Sequence, residues 1–367
     1  MFNIKSVLVA FIATFIAIGC SNDDNKSAVS PNNEVRSSSR LTSDEVDFDE
    51  VAQALAAALT DTELRKFIKL ESGKKFDGDY DVLLSKVIDT KVGDKSVENH
   101  LNEGARKKGK QIDLKKILVR NELINISVPV NIEDWDVTTY VPLVAVAPES
   151  DKVAQIKAYS SDGGVVFLDA KKAPNYPVIV INVNERVAMK NGKAEVKKGL
   201  IDAPSSNGKK MGTHSGARMA SICRQEGDYL KISSVRMDID AIESWYRGKP
   251  DVVMHVRKAV NDVTSGQFYF SPERNKDDQW VDCNVFLFNW YSTIPELVFV
   301  WIEEDDRGED TNYTFEYDKF KLNIPTQVHD IVMHNMPYHF DSCPSGLDGT
   351  QELSGGSISW KITSYRY

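Results

Sequence analysis

The hydrophobic period of this chain changes near Asn121 from a helical spacing to a spacing of two, and that change limits what the chain can fold into. Before it, "TSDEVDFDEVAQALAAALTDTELRKFIKLE" sets Val51, Leu55 and Leu59 on one side at helical spacing, and its alanines favour helix at little entropic cost. Thr42 with Glu45 and Thr60 with Glu63 each fit a capping box, so two helices are expected, the second continuing through Leu64, Phe67 and Ile68. "YDVLLSKVID" and "SVENHLNEGARKKG" read as further helical pieces, with Gly104 and Gly109 weakening the end of the latter.

Beyond Asn121, "ELINISVPVNIEDWD", "TTYVPLVAVAPE" and "VAQIKAYSSDGGVVFLDA" alternate or cluster β-branched residues between polar turns. The prolines of "APNYPVIVINVNERV" place that strand at an edge or mark its entrance. In "GSISWKITSYRY" Ile358, Trp360 and Ile362 share one face while Ser359, Lys361 and Thr363 occupy the other, which argues for two packed antiparallel sheets. The expected fold is α+β, mainly β: a small helical domain over 42–121, a β-rich domain over 122–188, a linker or long loop over 189–227, and an antiparallel β-sandwich over 228–367.

The first 41 residues read as address and tether. Lys5 precedes an apolar run from Val7 to Ile18, shorter than the roughly 20 residues of a spanning helix, and Gly19 leaves little bulk beside Cys20. "AIGC" resembles a bacterial lipobox, which implies cleavage after Gly19 and lipid on Cys20, with two or more acyl chains anchoring the chain stably. That cut removes one lysine and no acid, moving the formal charge from -9 to -10. An acidic chain with no basic tract has no electrostatic footprint for nucleic acid, so the expected partner is a lipid bilayer reached through Cys20. The polar stretch over 20–41 reads as a flexible tether. Asp23 and Asp24 resemble the export signal of Bacteroidetes-like surface lipoproteins, which implies the outer face of an outer membrane, with the periplasmic face as the alternative.

Three chemistries can be read from the rest. Acidic residues recur at strand ends, and Asp238, Asp240, Asp305 and Asp306 are the candidate ligands of a calcium ion, which needs six to eight hard oxygens. The acidic loops follow the logic of C2-like sandwiches without the spacing of an EF-hand. Zinc is the alternative metal, at His329, His334 and His339 beside Asp330, Asp341 and Cys343, but positions five apart rotate away from one another on a helix and alternate faces on a strand. Trp245, Tyr246 and Arg247 in "ESWYRGKP" are the candidate surface for a glycan or protein ligand. Ser215 beside His214 lacks the G-x-S-x-G elbow, and Cys223, Cys283 and Cys343 allow three disulfide pairings, with a catalytic thiol as the other reading.

Taken in order, "YVPLVAVAPE", "FLDAKKAPNYPVIVINVNER" and "YLKISSVRMDIDAIESWYRGKPDVVMHV" resemble the uncharacterised bacterial secreted and lipoprotein family DUF3103. The resemblance implies export and a bacterial source and carries no activity or catalytic residue. The expected function is therefore a surface-anchored lipoprotein with a binding or scaffolding role, stabilised by calcium. The alternative is an exported metal-dependent or cysteine or serine hydrolase.

Overall fold

A computed structural model describes residues 43–366 except 151, 198–217, 220–225, 259–262, 290, 292, 295, 306–309, 318–319, 328–329 and 340–349. The expectations for Cys20, Ser215, Cys223, Asp306, His329 and Cys343 lie outside the described residues. From the N-terminus come α1 (Ser43–Ala58), α2 (Thr62–Ser72), β1 (Asp81–Leu83), α3 (Leu84–Val87), the hairpin β2 (Lys91–Val92) and β3 (Lys95–Ser96), α4 (Val97–Lys107) and α5 (Leu114–Arg120). There follow β4 (Ile124–Val130), β5 (Leu143–Val146), β6 (Gln155–Tyr159), β7 (Val165–Asp169), β8 (Val178–Val183), and the hairpin β9 (Val187–Lys190) and β10 (Lys193–Val196). The remainder is β11 (Arg218–Met219), β12 (Tyr229–Met237), α6 (Ile239–Ile242), β13 (Val252–Lys258), β14 (Val263–Phe270), β15 (Val281–Asn289), β16 (Glu296–Glu303), β17 (Asp310–Tyr317), β18 (Phe320–Gln327), β19 (Ile331–His339), β20 (Thr350–Gly355) and β21 (Ile358–Arg366).

Local chemistry starts the helices close to where the sequence expects them. Asp61, not Thr60, caps α2: its carboxylate accepts the Glu63 N–H at 2.8 Å, because an aspartate there satisfies an exposed backbone donor directly. Gly104 does not weaken α4 but lets it approach α1, since a Cβ would stand 2.1 Å from the Ala54 carbonyl oxygen. "YDVLLSKVID" divides into β1 and the single turn of α3, because the Asp81–Leu83 backbone pairs with β4.

Strands β1-β4-β8-β5-β6-β7 form a mixed sheet in that order, with β5 and β8 parallel. The prolines before β8 mark its entrance and not an edge, since the strand lies between β4 and β5. Its near-continuous apolar run follows from cover on both faces. Ile179 and Ile181 join Leu55 of α1 and Leu59 just after it in one core, while Val178 and Val180 join Ala145, Ala158 and Leu168 on the other face. That second face is closed by Trp245 and Tyr246, carried in from the far side of β12.

The C-terminal strands form two antiparallel sheets, one with β11-β21-β12-β15 and β20 beside β21, the other β14-β13-β16-β19. Leu230 and Ile232 of β12 and Trp360 and Ile362 of β21 meet Met254, Phe299 and Trp301 across the sandwich, with the Trp301 and Trp360 rings 5.3 Å apart. The outward face of the second sheet is also apolar, and Leu322 and Ile324 of the β17-β18 hairpin cover Val253, Val298, Val300 and Ile302. The architecture is α+β, with N-terminal helices followed by several β-sheets. All described residues fall in one compact unit, Leu41–Tyr367.

Candidate functional site

Arg186, the last residue of the turn between β8 and β9, meets the segment between α2 and β1 and the residue just before β13. One guanidinium nitrogen, Nη2, donates to an Asp251 carboxylate oxygen and to Ser271 Oγ at 2.6 Å, and Nη1 to the Asp77 carbonyl at 3.4 Å. Asn184 Nδ2 donates to Asp77 Oδ2 at 2.6 Å and Asp81 Oδ2 at 3.3 Å, and its own oxygen accepts the Arg186 N–H. Asp79 accepts the Lys249 N–H at 2.8 Å. Gly248 is needed beside it: the residue has φ +107°, and a Cβ there would stand 2.2 Å from Asp79 Oδ2.

Burial disfavours all of these charges, and the outcome depends on where the guanidinium points. For Asp79, burial is outweighed by Arg186, Lys249 and backbone N–H donors, so its carboxyl sits below its ordinary value. Asp81 is pushed well above, by burial and then by Asp77 and Asp79. Asp251 is pushed up to about 6 by burial, against the pull of Arg186. Between these groups lies a cavity of about 10 Å³ lined by Asp79, Asp81, Asn182, Glu185, Arg186 and Asp251 among others, enough for about one water.

A second acidic group adjoins the first. Glu185, Glu243 and Asp305 each present an oxygen such that all three lie within 4.8 Å of one another. Glu185 is next to Arg186 in the chain, Glu243 ends the single turn of α6, and Asp305 lies just past β16. Arg247 Nη1 donates to Glu185 at 3.0 Å; Arg274 donates to Asp240 at 3.1 Å and to the Ser244 carbonyl at 2.7 Å. Glu303, the last residue of β16, is 2 % exposed, and its Oε1 has no hydrogen-bond partner. Burial, then Glu243, Asp305 and Glu185, pushes its carboxyl well above the ordinary value. Glu243 is raised in the same way, by burial and then by Glu185.

Of the expected calcium ligands among the described residues, Asp238, Asp240 and Asp305, the structure brings only Asp305 into this group. Asp238 instead caps α6, accepting the Ala241 N–H at 3.1 Å, and Asp240 is the surface partner of Arg274. The expected ligand surface at Trp245, Tyr246 and Arg247 is inside the protein: the two rings are 2 % and 0 % exposed, and Trp245 Nε1 donates to the Asp169 carbonyl at 3.0 Å. A bare sheet face needs an apolar cover, and the aromatic pair supplies it. Arg247, 9 % exposed, is spent on Glu185 and the Pro148 carbonyl.

His334 and His339 share β19 but not a face. His334 packs 5.9 Å from the Trp360 ring, whereas half-exposed His339 pairs with Glu296 at 3.1 Å. Cys283 on β15 is a free thiol whose ionisation burial pushes up to about 12, the reverse of what a nucleophile needs. Sequence reasoning placed Glu243 and Glu303 among the acidic residues at strand ends and missed Glu185 and Arg186. The one signal available was "NVNER", a polar run directly after a strand apolar on both faces.

These features define an α+β protein in which a helix-covered mixed sheet and an antiparallel sandwich share a buried acidic seam. The chain belongs to the family described as Protein of unknown function (DUF3103), which matches residues 50–262. The matched span contains the Arg186 cluster, Trp245, Tyr246, Glu185 and Glu243, and stops before Glu303 and Asp305. No curated protein matches the chain. A solved structure entitled "Structure of Drosophila C2-DSL-EGF1" aligns with 37 % of this chain and 65 % of its own length, at 12 % identity and a TM-score of 0.20, too low to carry an argument.

Proposed function

We propose that this protein is an exported, lipid-anchored binding protein that engages an extended segment of a partner protein at the free edge of β7. The observation that carries the reading is that edge. Among the described residues β7 ends the six-strand order and pairs on one side with β6, and its Val165, Val166 and Phe167 are 52 %, 37 % and 60 % exposed. An exposed apolar edge strand offers unpaired backbone groups and side chains to an incoming strand, and stable monomers usually blunt such edges with charge or proline. The far end of β7 is closed, because Trp245 takes the Asp169 carbonyl, so the open template is three residues long.

Anchoring through Cys20, on the outside of an outer membrane, is the reading that the lipobox-like "AIGC" and the aspartates behind it support. Among the described residues no helix is long and apolar enough to cross a membrane. Calcium ordering of acidic loops belongs to the same reading. The test is a photoreactive amino acid at position 167 in cells making the full chain, with position 116 on α5 as control. An adduct at 167 that Val166→Lys removes is expected. Adduct levels at 167 equal to those at 116 would overturn the binding edge.

A further inference from the structure

We propose that Glu185, Glu243, Glu303 and Asp305 form a binding site for a single calcium ion at the buried end of β16. The reading does not depend on the β7 edge, which lies on another sheet.

Three observations carry it. First, oxygens of Glu185, Glu243 and Asp305 converge within 4.8 Å of one another, and oxygens on opposite sides of a calcium ion bound at 2.3 to 2.6 Å stand about 4.6 to 5.2 Å apart. Secondly, Glu303 Oε1 is buried without a hydrogen-bond partner in a residue 2 % exposed. Its carboxyl feels the charges of Glu243, Asp305 and Glu185, which sets it beside the three converging oxygens. A buried carboxylate oxygen with no donor is costly unless something cationic faces it. Thirdly, the guanidiniums that act on Glu243 are outnumbered by carboxylates: Arg274 also donates to Asp240, and Arg247 donates to one member of the group, Glu185, and to the Pro148 carbonyl.

The donor set selects the ion. All four side chains offer hard carboxylate oxygens, with no imidazole or thiolate among them, which suits calcium and not zinc. The ligands also come from four points of the fold, the β8 end, α6, the β16 end and the loop after it. Bound calcium would therefore clamp the mixed sheet to the sandwich, and a site of this kind suits a chain exported to where calcium is plentiful.

The purified full chain, freed of metal, is titrated with calcium by calorimetry, and with terbium as a luminescent stand-in excited through Trp245, two residues from Glu243. One equivalent of calcium should bind and displace terbium, and Glu303→Gln and Asp305→Asn should each weaken binding by at least about tenfold, the lower end of what even outer-shell changes cost. Terbium luminescence on the unaltered chain keeps the test valid if a variant fails to fold. Absence of calcium binding and of sensitised terbium emission in the unaltered chain would overturn the site. So would stoichiometric binding that neither substitution weakens, or binding of zinc in place of calcium.

Discussion

Two acidic clusters lie side by side in this protein, and they solve the cost of buried charge in opposite ways. Around Arg186 the counter-charge is part of the chain: one guanidinium reaches Asp251, Ser271 and the Asp77 carbonyl, and Asn184 ties Asp77 to Asp81. Around Glu243 the nearby guanidiniums are shared with other partners, and Glu303 keeps an orphaned oxygen. A closed cluster of the first kind is structural. An open one of the second kind has capacity for a cation.

The sharpest way to break the comparison is Arg186→Met. It should lower the unfolding free energy by about 3–5 kcal/mol in urea titration, because it strands several buried aspartates. A loss no larger than that of a surface arginine would show that the cluster is not held by its guanidinium. Calcium at a hundred times its dissociation constant should raise stability by about 2.7 kcal/mol, and Glu303→Gln should remove about half of that gain or more. The same excess of calcium should do little to rescue Arg186→Met beyond that amount.

Gly248→Ala should cost about 1–3 kcal/mol, since the residue is held at φ +107° against Asp79. Its expected signature is thermal destabilisation with calcium affinity unchanged, which separates the two clusters experimentally.

Acidity tests the open cluster from the other side. Glu243 and Glu303 are raised in the folded state, so the stability gained from protonating them is fully present below their ordinary value of 4.5 and is lost as pH rises through the folded values. Asp251 acts in the same sense between 3.8 and about 6. His255 acts in the opposite sense, because burial and then Arg257 lower it from 6.5 to about 4, and stability drains as pH falls through that window. Comparing wild type with Glu303→Gln isolates the glutamate: without calcium, the stability difference between the two should shrink or reverse as pH falls. Calcium affinity should weaken over the same range, as protons compete for the ligands. The smallest effect is expected at the β7 edge, where Val166→Lys should leave stability within about 0.5 kcal/mol while removing the crosslink at position 167.

Much of the fold was legible because its signals are local. The alternation of Ile358, Trp360 and Ile362 places all three in the sandwich core, and Val51, Leu55 and Leu59, set on one side by helical spacing, are all buried in the core beneath the mixed sheet. The site was legible only in part. The acidic run after β16 contributes Glu303 and Asp305, yet its partners Glu185 and Glu243 sit in segments that read as strand ends. Trp245 and Tyr246 look like loop-end aromatics in sequence, and nothing local reveals that a sheet more than 60 residues upstream has an uncovered face.

The sequence by itself determined where helices yield to strands, which residues of the last strand face inward, and the net acidity of the chain, because period and charge are properties of short segments. Only the tertiary structure decided which carboxylates meet, which guanidinium neutralises them, and which aromatic pair closes the mixed sheet. Those outcomes follow from strand order and layer packing, which bring segments more than a hundred residues apart within a few ångströms, and at that distance low dielectric makes each charge depend on its neighbours.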